Sequence, residues 1–170
     1  MKHQVKRYHD ISCGHRVVGH ESCCSRLHGH NYRVHFVCEA DCNKYVGESL
    51  FGGSLTHNNQ GLDQIGRVID FSEIKTKLCM WLEDNWDHKF LAWEKDLAIK
   101  VLSEELFEQN SRDANDLNES FVFVSFNPTA ENMAQYLVEC VGPIQLRGTG
   151  ITLTSVTIEE TRKCSVSYGS

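Results

Sequence analysis

The chain has 170 residues, 41% of them hydrophobic, with a formal net charge of -6 and a pI near 5.8. That length and apolar content build one sizeable core, so a single domain over 1–170 is expected. The acidic balance argues against a nucleic-acid partner, which needs a basic patch, and no stretch is apolar for long enough to span a membrane.

The N-terminus, Met-Lys-His-Gln-Val, starts directly with polar residues and shows no signal peptide. The eight cysteines are scattered, with no Cys-x-x-Cys pair. Cys38, Cys79 and Cys140 fall inside apolar periodic stretches, where a thiol behaves as a small hydrophobe. This pattern reads as a protein of the reducing cytoplasm rather than a secreted disulfide scaffold.

Residues 3–12 mix His, Val, Tyr and Ile in loose alternation and predict a first strand, followed by a polar, Cys-rich loop at 19–26. From Asn31, the residues Tyr32, Val34, Phe36 and Cys38 alternate with Arg33, His35 and Val37, which predicts a second strand. Residues 43–66, with Gly-Gly and Asn-Asn, read as an irregular connection. Asp70 then caps a helix, with Glu73 matching a capping box and Ile74, Leu78, Trp81 and Leu82 at core spacing.

Asp87-His88 ends that helix. A second helix is expected over 94–109 on Leu97, Val101, Leu102 and Leu106, then a polar loop at 110–119. Phe121 to Phe126 reads as a short strand buried on both faces. Thr129 caps a further helix with Glu131 in its first turn, an apolar face of Ala130, Met133, Ala134, Leu137 and Val141, and Gly142-Pro143 as its stop. Strands over 151–160 and 164–168 close the chain, so the order predicts an α+β fold with an antiparallel sheet.

The chemistry concentrates between His15 and His30. In an extended strand His28 and His30 point the same way, sharing a face with Tyr32, Val34 and Phe36, while Gly29 leaves the other face bare. His15, in the preceding segment, could supply a third ligand from a neighbouring strand. Singly, each is an ordinary surface or hydrogen-bonded His; together they form the three-ligand set of a catalytic zinc site with one open position. Another divalent ion also fits such a set. Cys24 stands four residues before the pair, either as a base activated by a nearby cation or as a fourth ligand closing a structural site.

The motifs Cys24-x-x-x-His28-Gly-His30-Asn-Tyr, Val68-Ile-Asp-Phe71, Asp87-His88-Lys-Phe-Leu91, Asn127-Pro-Thr-Ala-Glu131-Asn132 and Glu160-Thr161 occur together and in this order. In this the chain, from about His9 to Tyr168, resembles the 6-pyruvoyltetrahydropterin synthase family and, within it, the 6-carboxytetrahydropterin synthases. The three-residue spacing from Cys24 to His28 is similar to the carboxy enzymes, since the Cys of the pyruvoyl enzymes typically stands further away.

The resemblance implies the tunnelling fold, in which an antiparallel four-stranded sheet packs two long helices and subunits join sheets edge to edge into a barrel. It implies a homohexamer, a dimer of trimers, with active sites between subunits. It implies one zinc per chain on His15, His28 and His30, Cys24 as base, and Asp87 with His88 as a proton relay across the subunit boundary. Glu160 would accept hydrogen bonds from the pterin, with Thr161, Thr129 and Glu131 flanking that pocket. The implied reaction is zinc-dependent conversion of 7,8-dihydroneopterin triphosphate to 6-carboxy-5,6,7,8-tetrahydropterin, releasing triphosphate and acetaldehyde, in the queuosine/7-deazaguanine pathway. The alternatives are the pyruvoyl synthase reaction, which eliminates triphosphate, and a non-catalytic zinc-stabilised assembly module. Arg16, Arg26 and Lys89 lie near these motifs, either as phosphate partners or as ordinary solvated side chains.

Overall fold

The computed structural model describes residues 3–40, 62–63 and 65–169. Two long strands lead the sheet: β1 (Gln4–His15) and β2 (His28–Ala40) pair antiparallel from Gln4↔Glu39 to His15↔His28. Both run further toward the histidines than the alternation of apolar residues predicts, because His and Gly carry the ladder there without a hydropathy signal. The irregular connection expected over 43–66 lies almost wholly outside the described residues.

β5 (Ile151–Thr161) pairs with β2, and β6 (Cys164–Gly169) with β5, both antiparallel. These are the four antiparallel strands expected, but the sheet does not stop there. β3 (Phe90–Trp93) and β4 (Phe121–Val124) extend it on the β1 side as parallel strands, giving the order β4-β3-β1-β2-β5-β6. The four-stranded antiparallel sheet is thus corrected to a six-stranded mixed one. β3 is too short to show a period, and its helical crossover to β4 makes the pairing parallel. β4 is not buried on both faces either: it lies at the sheet edge, and Phe123 is 41% exposed.

One face of the sheet carries the core. α1 (Phe71–Ile74) and α2 (Met80–Asn85) flank a π turn at Lys75–Cys79, and α5 (Ala130–Tyr136) and α6 (Gly142–Gln145) flank another at Leu137–Val141. Ile74, Leu78, Leu82, Met133, Ala134 and Leu137 are buried against Tyr32, Val34, Phe36, Val156 and Ile158 of the strands. Each such aliphatic side chain contributes about 1.5–3 kcal/mol when removed from water. Asp70 caps α1 by accepting from Ser72 N at 2.8 Å, and Thr129 caps α5 by accepting from Asn132 N at 3.3 Å.

Gly142-Pro143 does not stop the last helix. Pro143 is tolerated in the first turn of α6, and Gly142 serves close packing, since a Cβ there would meet Leu153 Cβ at 2.9 Å.

The crossover holds two further corrections. α3 (Leu97–Gln109) starts later than predicted, capped by Asp96, and buries Ile99 and Leu106 while Leu97, Val101 and Leu102 face solvent. The expected polar loop contains α4 (Arg112–Asn118), capped by Ser111; only Ala114 of this helix is buried, so its sequence has no apolar stripe to read. Cys38 and Cys79 are buried as expected, Cys140 is exposed, and every described cysteine is free. Among the described residues no helix is long and apolar enough to cross a membrane.

Candidate functional site

The β1–β2 register assembles the histidines. His15 stands directly across from His28, and His30 lies two residues along β2 on the same face. Ring centroids are 4.5 Å apart for His15–His28, 5.3 Å for His15–His30 and 5.1 Å for His28–His30. One ring nitrogen from each lies within 4.8 Å of the others, so the three could hold a metal ion.

Their surroundings suit ligation. Nδ1 of His15 lies 2.6 Å from the Pro128 carbonyl, and Nδ1 of His28 lies 2.7 Å from the Arg26 carbonyl. A carbonyl only accepts, so each Nδ1 carries the proton and each Nε2 keeps its lone pair. Burial lowers the pKa of His15, although its bond to Pro128 opposes the shift, and burial likewise lowers that of His30 against the pull of Glu160. Both effects favour the neutral imidazole, the form that binds metal.

Glu160 stands beside this cluster, its Oε1 3.6 Å from Nε2 of both His15 and His30. The β5–β6 register slips between Glu159 and Thr161, and this bulge re-aims the intervening carboxylate.

A cavity of about 380 Å³ is lined by His15, His28, Cys24, Thr129, Glu131 and Glu160, six of the ten residues singled out from the sequence. A larger one, of about 1190 Å³, is lined by His30, Asp87, His88 and Thr161, again with Glu160. Glu160 is the one predicted residue that reaches both. The smaller cavity holds Cys24 and two of the three imidazoles that could hold a metal, which makes it the candidate site despite its size.

Cys24 lies in a 3-10 turn (Cys23–Ser25), so strand alternation does not separate it from Cys23. Position does: Cys24 is half-buried and lines the smaller cavity, whereas Cys23 is exposed. Desolvation pushes the Cys24 thiol up, and Cys23 and Glu160 act in the same direction. The protein's own groups therefore favour the thiol, and a thiolate there depends on an added cation. Cys13 is no competitor as a base, because burial pushes it up to about 12.

Asp87 and His88 are built as a unit after α2. The Asp87 carboxylate accepts from Ser12 N at 2.7 Å and pairs with His88 Nδ1 at 2.7 Å, while His88 N donates to Ser12 O at 2.7 Å. His88 takes a left-handed backbone conformation (φ 55°), and its side chain is 82% exposed. Of the cations flagged near the motifs, Arg16 pairs with buried Asp96 at 2.9 Å, and Lys89 Nζ donates to Glu119 O at 3.0 Å.

A family model described as 6-pyruvoyl tetrahydropterin synthase matches residues 4–170. The chain belongs to the 6-pyruvoyl tetrahydropterin synthase family. It is 29% identical over 157 residues to a 6-carboxy-5,6,7,8-tetrahydropterin synthase of Rickettsia typhi, covering 92% of this chain and 93% of that protein. The protein of the same name from Haemophilus influenzae is 23% identical, covering 79% of this chain and 78% of its own length. Membership of this enzyme family meets the expectation of an enzyme.

Among solved structures, an uncharacterized protein from Wolinella succinogenes superposes with a TM-score of 0.77 at 23% identity, covering 99% of this chain and 98% of that one. The 6-pyruvoyl tetrahydropterin synthase of Caenorhabditis elegans superposes with a TM-score of 0.57 at 18% identity, covering 100% and 96%. At those identities the likeness shows the family fold.

Two residues absent from the predicted site support it. Asn127 clamps the segment after β1, accepting from Val18 N at 3.0 Å and donating to Val18 O at 2.8 Å, which helps set the Pro128 carbonyl against His15. Tyr32 is fully buried, and its hydroxyl lies 3.0 Å from His15 Nε2. Tyr32 was legible as sharing the face of His28 and His30, but nothing in a sequence says that a core phenol reaches His15. Thr129 is engaged as a cap and Thr161 Oγ1 accepts from Lys163 N at 3.2 Å, so both have structural partners of their own.

Proposed function

We propose that the chain is a 6-carboxy-5,6,7,8-tetrahydropterin synthase, converting 7,8-dihydroneopterin triphosphate and water to 6-carboxy-5,6,7,8-tetrahydropterin with release of triphosphate and acetaldehyde. The observation that carries this reading is the meeting of His15, His28 and Cys24 with Glu160 around one cavity. A metal-stabilised assembly module would need the imidazoles but has no use for a thiol and a carboxylate beside them.

The three imidazoles fit zinc in ligand type and number, and His15 and His28 also in tautomer; they would hold one ion per chain with a position left for substrate. Zinc bound there would serve as a Lewis acid toward oxygens of the substrate side chain. Glu160 accepts hydrogen bonds from the amino group and ring N–H of the pterin, which orients the ring. Cys24 removes a proton from the substrate side chain as general base. Thr129, Glu131 and Thr161 flank the ring.

Asp87 and His88 return protons as the new carbonyl forms. Their position in the larger cavity, with His88 turned to solvent, supports service to a neighbouring protomer rather than to their own Cys24. That requires the homohexamer of two trimers with sites between subunits, acting in the cytoplasm in the queuosine/7-deazaguanine pathway.

The family description itself favours a second reading, elimination of triphosphate to 6-pyruvoyltetrahydropterin. The spacing of Cys24 from His28 and the names of the Rickettsia and Haemophilus relatives favour the first. Incubation with dihydroneopterin triphosphate decides between them. The carboxy product with acetaldehyde supports the proposal, the pyruvoyl product replaces it by the second reading, and zinc binding without turnover leaves the module.

A further inference from the structure

Tyr32 stands where the two functions of the site meet. It projects from β2 on the face that carries His28 and His30, and it is 0% exposed. Its hydroxyl has two acceptors within reach, Nε2 of His15 at 3.0 Å and Oε1 of Glu160 at 3.4 Å. One O–H proton cannot serve both. A phenol has one O–H to donate, so Tyr32 acts as a donor to one of these two acceptors at a time.

The shorter of the two contacts goes to His15. Because the Pro128 carbonyl fixes the His15 proton on Nδ1, Nε2 offers a lone pair and Tyr32 donates to it. A metal engaging that lone pair removes the acceptor. The phenol, enclosed by the core and unable to reach water, is then left with Glu160 alone. A donor bond to a carboxylate is stronger than one to a neutral acceptor, and it removes rotational freedom from a side chain that is otherwise half-exposed.

We propose that Tyr32 is a positioning residue that couples metal occupancy to pterin binding: loading the His15 site turns the Tyr32 O–H hydrogen bond to Glu160 and fixes that carboxylate for the ring. The inference rests on the reading in which His15, His28 and His30 hold zinc and Glu160 anchors the pterin. Coupling of this kind is reciprocal, so the ring must tighten zinc by the factor by which zinc tightens the ring. One hydrogen bond to a charged group sets the expected factor at about tenfold.

The test is a fluorescence titration with unsubstituted pterin, which lacks the side-chain hydroxyls a metal could bind directly. It is run on the metal-free and zinc-loaded full chain, with zinc content measured in parallel. The unaltered protein is expected to bind the ring about tenfold more tightly with zinc. Tyr32→Phe is expected to hold one zinc per chain and to bind the ring equally in both states. A merely structural defect would weaken both affinities and preserve their ratio.

A tenfold ratio retained in Tyr32→Phe, or no zinc effect in the unaltered protein, overturns the inference while leaving the proposed function standing. If Tyr32→Phe does not fold, the reciprocal measurement on the unaltered chain decides: zinc affinity unchanged by saturating pterin overturns the coupling. Absence of zinc binding, or ring binding unaffected by Glu160→Ala, defeats the proposed function and this inference with it.

Discussion

His15 and His28 face each other as a cross-strand pair, their ring centroids 4.5 Å apart at the last register position of the β1–β2 ladder. The candidate metal site is therefore a property of the sheet: whatever holds the register holds two of the three imidazoles. His28→Ala is expected to take metal content from one per chain to near zero and to abolish turnover. His28 is only half-buried, so the metal-free fold should lose less than about 1 kcal/mol. Metal analysis beside a denaturant melt checks both, and unchanged metal content would remove His28 from the ligand set.

Gly29 tests the same relationship from the backbone. It pairs with Gly14 between the ligands, and a Cβ on it would lie 3.0 Å from the Cys13 carbonyl oxygen and 3.4 Å from Gly14 Cα. Those are backbone atoms and cannot rotate away. Gly29→Ala is expected to cost about 1–3 kcal/mol of stability and to weaken zinc binding several-fold by separating the strands under the ligands. A competitive zinc titration reads the second effect, which a change confined to global stability would not produce.

Much of this architecture was legible because it rests on repeated, local signals. The alternation through Tyr32, Val34 and Phe36 gave β2, and parity along it put His28 and His30 on one face. The caps at Asp70 and Thr129 marked helix starts whose side chains do accept the expected first-turn amides. What escaped was either too short or non-local. β3 has four residues and joins β1 only at Gly14 and His15, so no pattern announces it. α4 buries one alanine and therefore reads as a polar loop. The division of Asp87 and His88 from Cys24 into separate cavities depends on sheet faces that sequence order cannot supply.

Asp87 gives a pH signature. Burial opposes its ionisation, but hydrogen bonds from Ser12 N and from His88 outweigh that and hold the carboxyl below its usual range. A depressed folded pKa contributes stability that is full above the unfolded value, about pH 4, and is lost as pH falls through the folded one. Asp87→Asn is expected to be less stable at neutral pH by about 1–3 kcal/mol. The parent and variant should begin to converge as pH drops below about 4 and should meet only below the folded pKa, where the parent carboxyl is also neutral. Urea midpoints at pH 7 and pH 3 measure it, and a gap as wide at pH 3 as at pH 7 would assign the loss to packing instead.

The sharpest test concerns two neighbouring thiols. Cys24 lines the cavity with His15 and His28, whereas Cys23 on the same 3-10 turn is exposed. Without a cation, desolvation, Cys23 and Glu160 all push Cys24 up, so the metal-free protein should alkylate there only at more alkaline pH than an ordinary thiol. Loading zinc adds positive charge beside the cavity and should bring that pH down, a shift that mass-spectrometric mapping of iodoacetamide labelling at Cys24 would follow. Labelling of Cys23 should be far less sensitive to metal. The cavity's other thiol, Cys164, is exposed at the start of β6, so with Cys24 as base, Cys24→Ala is expected to keep zinc and pterin binding yet lose turnover by about 100-fold or more. Cys23→Ala should retain most activity. The reverse outcome, with Cys23→Ala inactive and Cys24→Ala active, would mean that the turn rearranges when substrate binds and that the base has been assigned to the wrong thiol.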